Sequence, residues 1–126
     1  MNKVIQTEAA PASFSAYAQA VETAAASRFV HVSGQVGLGL DGVLPATAEA
    51  QHAHAWRNIF AILEAADMGP EDIVDVLAIV TDPSGVPIFR QMRDEMLGPH
   101  LACSTLLVCG LANPDWKVEI AVKAAK

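Results

Sequence analysis

The sequence predicts an α+β two-layer sandwich, a mixed six-stranded sheet with two helices on one face. Three observations lead there. Apolar residues recur at helical spacing in two stretches, each closed by a Gly-Pro pair. Six other stretches are short and rich in β-formers. The elements follow the order β-β-β-α-β-α-β-β, which leaves both helices to cover one face of the sheet.

Val4-Ile5-Gln6-Thr7 reads as a first short strand, broken by Pro11 and the serines around Phe14. Tyr17 to Val21 reads as a second and Arg28 to Ser33 as a third. Two strands so close in sequence most simply form an antiparallel hairpin, although the alanines at its tip (Ala24 to Ala26) carry no strong turn chemistry. Thr47 to Asp67 is the clearest helix, with Trp56, Ile59, Ile62, Leu63 and Ala66 on one stripe and Gly69-Pro70 as its stop. Ile73 to Val80 has few polar breaks and suits a central strand covered on both faces. Asp82-Pro83-Ser84 opens a second helix that runs to Leu97 with Phe89, Met92 and Met96 as its apolar stripe. Cys103 to Cys109 is the fifth strand. The sixth, Trp116 to Val122, alternates: Trp116, Val118, Ile120 and Val122 face one way, while Lys117, Glu119, Ala121 and Lys123 face the other.

Residues 1–126 suit one domain with one core. The chain is 52% hydrophobic and 17% charged, with a mean hydropathy of +0.32. That excess predicts apolar surface buried against another subunit, since helices on one face leave the other face of the sheet bare. The net charge of −6 and the scatter of eight Lys and Arg disfavour nucleic acid. No apolar run reaches transmembrane length. Met1 to Thr7 is polar and shows no signal peptide. Cys103 and Cys109, on one strand, would lie roughly 20 Å apart, too far to bridge. Free thiols without a leader predict a cytoplasmic protein.

Several patterns carry little chemistry. Gly34, Gly37 and Gly39 mimic a phosphate-binding spacing, but Pro45 follows where a helix should start, so a turn-rich connection is expected. His52 and His54 face different directions on a helix and cannot share a metal. His31 reads as a packed or hydrogen-bonded strand residue, and Cys109 as core. No cluster has metal-ligand spacing and no cofactor motif is present.

Other residues carry a family likeness. Tyr17, Ser33-Gly34-Gln35, the run from Gln51 through Ala66, Glu71-Asp72-Ile73-Val74, Thr81-Asp82, Ala102, Ser104 to Val108 and Pro114-Asp115-Trp116-Lys117-Val118-Glu119-Ile120 occur in order over nearly the whole chain. The set resembles the Rid (YjgF-like) family. That resemblance implies a chorismate-mutase-like fold, a homotrimer and a small-ligand pocket at each subunit interface. It also implies hydrolysis of reactive enamines and imines to 2-oxo acids and ammonia. Tyr17 then matches the pocket tyrosine, Gly34 a glycine whose backbone meets the substrate nitrogen, and Glu119 a carboxylate that holds the attacking water. Arg90 stands at a pocket asparagine and Thr105 at a pocket cysteine. Where the family carries the arginine that grips the substrate carboxylate, this chain has Cys103.

Imine hydrolysis needs a cation for the carboxylate, an acceptor for the water and a proton for the leaving nitrogen. A neutral thiol supplies none of the first, and losing a charge-assisted pair removes about 1.5–3 kcal/mol. Standard 2-iminobutanoate deaminase activity is therefore expected to be weak or absent unless Arg90 or another cation reaches the site. Cys103 is either small apolar filler or a nucleophile with lowered pKa, with His100 three residues away to assist. Two functions stay open: an enzyme on an enamine, imine or related carbonyl metabolite, with Glu119 and Cys103 as catalytic candidates and Tyr17, Gly34, Arg90 and Thr105 binding substrate; or a non-catalytic ligand-binding or regulatory trimer.

Overall fold

The computed structural model describes residues 1–126. Its strands and helices are β1 (Asn2–Ile5), β2 (Ala20–Thr23), β3 (Phe29–Val36), α1 (Ala48–Ala65), β4 (Ile73–Val80), α2 (Gly85–Leu97), β5 (Cys103–Val108) and β6 (Val118–Ala125). Two helices and six strands thus follow in the predicted α+β order. Four strands form one mixed sheet in the order β3-β6-β4-β5, and β1 and β2 form an antiparallel ribbon. Only β4 and β5 run parallel, as α2 between them requires. The ribbon segment meets the free edge of β5 through a single bridge from Ala18 to Cys103, where the Ala18 N–H donates to the Ala102 carbonyl at 3.0 Å.

The expected hairpin between the second and third strands does not form. β2 pairs with β1, Val21 opposite Val4, and β3 pairs with β6 at the far edge of the sheet. The alanine linker lacks hairpin turn chemistry, and Ala25 takes a left-handed φ of 57° as the chain turns away. Tyr17 falls outside β2. The Gln19 side chain holds the preceding loop, accepting from the Thr7 N–H at 2.6 Å and donating to the Pro11 carbonyl at 2.8 Å.

Helix α1 starts at Thr47, whose hydroxyl accepts from the Ala50 N–H at 3.2 Å. Ala55, Trp56, Ile59 and Leu63 are wholly buried against the sheet, each large side chain contributing about 1.5–3 kcal/mol by leaving water. Ile62 lies off this stripe and is 39% exposed. The helix ends before Gly69-Pro70, because Asp67 already takes a left-handed φ of 58°. Gln51 is a buried polar tie. Its amide donates to the carbonyls of Pro45 and Asp115, and its oxygen accepts from the Lys117 N–H at 2.9 Å, pinning α1 to the start of β6. Gly37 lets this end come close, since a Cβ there would lie 2.5 Å from the Gln51 backbone.

Asp82 accepts from the Ser84 N–H at 2.8 Å and turns the chain into α2. The buried stripe of α2 is Phe89, Arg93 and Leu97. Met92 and Met96, expected there, pack only at its margin. In β6 the predicted alternation holds: Val118, Ile120 and Val122 are buried under the helices, and Glu119, Ala121 and Lys123 face the other side. That other side of the sheet is uncovered in one chain, with Leu77 42% and Leu107 46% exposed. Cys109 is exposed rather than core, because it lies just beyond the end of β5. His31 is likewise exposed on the uncovered face, neither packed nor hydrogen-bonded.

His52 is wholly buried beside Phe89, with ring centroids 6.2 Å apart and no hydrogen bond to either ring nitrogen. Burial pulls its pKa from 6.5 down to about 4, against a smaller opposing pull from Glu49. The unfolded chain therefore binds the extra proton between pH 6.5 and 4 while the folded chain does not, so stability falls as pH drops through that window. The loss attributable to His52 is about 3 kcal/mol when complete. Urea denaturation should show a steeper fall from pH 7 to pH 4.5 in the native sequence than in His52→Leu; equal falls would remove His52 as the cause.

Candidate functional site

A cavity of about 270 Å³ opens between the N-terminal loop, α2 and the helix-facing side of β5. Phe14 and Tyr17 come from the loop, Phe89, Arg90 and Arg93 from α2, and Ser104 from β5. The loop is shaped locally, with the Phe14 N–H donating to the Tyr17 hydroxyl at 3.2 Å and the Tyr17 N–H to the Ser15 carbonyl at 2.9 Å. Arg90 and Arg93 lie three residues apart, so both point from one side of the helix. Arg90 is exposed and Arg93 is buried. The Arg93 guanidinium donates through Nε and Nη2 to Asp94 at 3.1 and 3.0 Å, and through Nη2 to the Ser15 hydroxyl at 3.2 Å. It also sits 5.6 Å from the centre of the Phe89 ring.

On the uncovered face, β3 and β6 bring Gly34 and Glu119 together. The register of β3 shifts between Val32 and Gln35, and Gly34 lies in that irregularity. A Cβ on Gly34 would stand 2.8 Å from Glu119 Cδ, so glycine is what lets the carboxylate lie over this backbone. Thr105 is exposed on the same face, in a second cavity of about 220 Å³ with His31, Asp75, Leu77 and Lys123. Asp75 and Lys123 pair there at 3.6 Å.

Cys103 begins β5, half-buried beside the ribbon. Burial pushes its thiol pKa up, and the charge of Asp75 pushes the same way; a backbone hydrogen bond from Val21 only partly offsets them. The thiol is thus held in its protonated, weakly nucleophilic form. His100 does not assist it. The His100 Nε2–H donates to the Ile73 carbonyl at 2.7 Å instead.

The six residues singled out from the sequence thus fall into two sets in one chain. Tyr17 and Arg90 share the cavity under α2. Gly34 and Glu119 touch each other on the opposite face, where Cys103 and Thr105 also point by their pairing with Asp75 and Leu77. Strand alternation is the reason: it is Ser104, between Cys103 and Thr105, that turns toward Tyr17. Arg93 and Ser104 were not among the sequence candidates. The spacing of Arg93 from Arg90 was the available signal, masked by reading Met92 and Met96 as the buried stripe.

Residues 7–126 match the family model described as Endoribonuclease L-PSP. The 2-iminobutanoate/2-iminopropanoate deaminase of Escherichia coli is 36% identical over 130 residues, covering all of this chain and 99% of that protein. Among solved structures, YyfB of Yersinia pestis, a protein of the Rid family, superposes with a TM-score of 0.87 at 26% identity, covering 99% of this chain and 98% of that one. TdcF of E. coli, solved with bound serine, superposes with a TM-score of 0.74 at 26% identity, covering 98% of each chain. The chain belongs to the Endoribonuclease L-PSP family, the Rid or YjgF-like proteins. Its relatives include named deaminases of reactive imines.

The two thiols should differ in reactivity. Iodoacetamide at pH 7.5, followed by mass spectrometry, should label exposed Cys109 well before Cys103. Faster labelling of Cys103 would contradict the protonated thiol and revive it as a nucleophile.

Proposed function

We propose that this chain is a small-molecule enzyme acting on an enamine, an imine or a related carbonyl metabolite, in a pocket completed between the subunits of a homotrimer. The observation that carries the proposal is the packing of Glu119 over Gly34. A carboxylate and a bare peptide face one another there, as adding water across a C=N bond demands. Glu119 holds the water and takes its proton as oxygen bonds to the imine carbon. Glu119 returns that proton to the nitrogen, the new hydroxyl then gives its own proton to the nitrogen through the same carboxylate as the C–N bond breaks, and an oxo compound and ammonia leave. Tyr17, Arg90 and Thr105 orient the substrate, the Gly34 backbone meets its nitrogen, and Cys103 shapes the wall.

The trimer has a physical motive. One chain carries the two sets of site residues on opposite faces of its sheet, so one copy cannot gather both around one ligand. Its uncovered face also exposes Leu77 and Leu107, the kind of surface that a second copy buries. No helix is long and apolar enough to cross a membrane, and two unpaired thiols suit a reducing cytoplasm. The residues 1–126 act as one domain, almost all of it within the family match.

Cys103 sets the expected rate. Without an arginine at that position, a 2-imino acid loses a bidentate charge-assisted pair, and turnover should fall by about tenfold or more. Ammonia release from 2-iminobutanoate generated in situ should be at least tenfold slower than with the E. coli deaminase. Cys103→Arg should raise it, and adding Glu119→Gln to that variant should abolish the gain. Native turnover equal to that of the E. coli enzyme would refute the role of position 103. A gain that survives Glu119→Gln would refute Glu119 as the water-holding group.

A further inference from the structure

Arg93 is a cation that no imine-hydrolysis step above uses. Its side chain is only 4% exposed, and a guanidinium is costly to bury unless its donors and charge are met. Nε and Nη2 are met by Asp94 and Ser15. Nη1 makes no hydrogen bond within the chain, and the Arg93 side chain lines the cavity. The pairing partner Asp94 is 50% exposed and does not line the cavity. No carboxylate lines this cavity, and Arg90 adds a second positive charge one turn away. Asp94 offsets the charge of Arg93, so the excess at the cavity is the charge of Arg90 with the Arg93 donors beside it; in a chain of net charge −6 such a spot suits an anion.

We propose that Arg93, with Arg90 at the mouth, is the anion-binding residue of this pocket, and that the ligand is a small carboxylate. Ser15 and Asp94 fix the guanidinium plane, so its open edge is already oriented when the carboxylate arrives. Phe14, Tyr17 and Phe89 offer apolar surface for a short carbon chain. The volume of about 270 Å³ lies just below the range of drug-sized sites and suits a metabolite of amino-acid size. Charge selection has thereby moved from the start of β5 to α2. A carboxylate held from α2 takes a different orientation from one held at position 103, so anion binding persists while fast 2-imino acid turnover does not.

This inference rests on the pocket assigned under Proposed function but fails separately from it. The test uses the full-length protein in its native assembly, labelled with ¹⁵N and titrated with 2-oxobutanoate or with its uncharged amide, 2-oxobutanamide. The acid should bind at least tenfold more tightly than the amide and should shift the Arg93 Nε–H resonance. Arg93→Lys, which keeps the charge but loses the fork, should weaken acid binding at least fivefold and leave amide binding unchanged. The exposed Arg90→Gln, which leaves the fold untouched, should weaken the acid by a smaller factor. Equal affinity for acid and amide would overturn the inference, as would acid binding with the Arg93 resonance unmoved. Binding of neither probe would also overturn it, while ammonia release by Cys103→Arg would still decide the enzymatic assignment.

Discussion

Strand β6 is hydrogen-bonded on both edges, to β3 and to β4, and its register governs everything else. Val118, Ile120, Val122 and Ala124 meet the buried stripe of α1 on one face. Glu119, Ala121 and Lys123 meet the uncovered side on the other. A slip of one residue would drive Glu119 and Lys123 into the core and expose the valines, a penalty large enough to fix the register. The same alternation that builds the core therefore sets the carboxylate opposite Gly34. Gln51 locks this arrangement from the helix side by holding the Lys117 N–H just before the strand begins.

The site follows from that constraint and from one substitution in chemistry. Glu119 packs over Gly34, the proposed place of the attacking water, and Cys103 offers no charge where the family resemblance implies a carboxylate grip. Burial and the nearby Asp75 push its thiol pKa up and so favour the neutral form, a poor anion ligand and a weak nucleophile. The cations stand on α2 instead, one buried and aimed by Ser15 and Asp94, one free at the mouth. The residues proposed for hydrolysis on β3 and β6 and those proposed for charge recognition on α2 thus lie apart in one chain, and subunit packing is what would bring them to one ligand.

Much of the fold was legible because it obeys periodicity. The alternation of β6, the stripe of Trp56, Ile59 and Leu63, and the unbroken apolar run of β4 each follow from a single local rule. The pairing of β2 with β1 was not legible, since strand partners are chosen by long-range packing and the alanine linker gives no turn signal. Arg93 escaped for a related reason. A charged residue at a buried helix position is explained only by its partners, and Ser15 lies 78 residues away in sequence. Tyr17, Gly34 and Glu119 could be named from the family likeness, but their distribution over two faces of one sheet is set by long-range pairing that no local pattern encodes.

A crystal structure of the protein grown with 2-oxobutanoate addresses the account most directly. It should show three copies closed on their uncovered sheet faces, with the ligand between subunits. The ligand carboxylate should lie against Arg93 and Arg90, with Gly34 and Glu119 of the facing copy on its other side. A monomer, or a ligand whose carboxylate sits at Cys103 and away from both arginines, would contradict it.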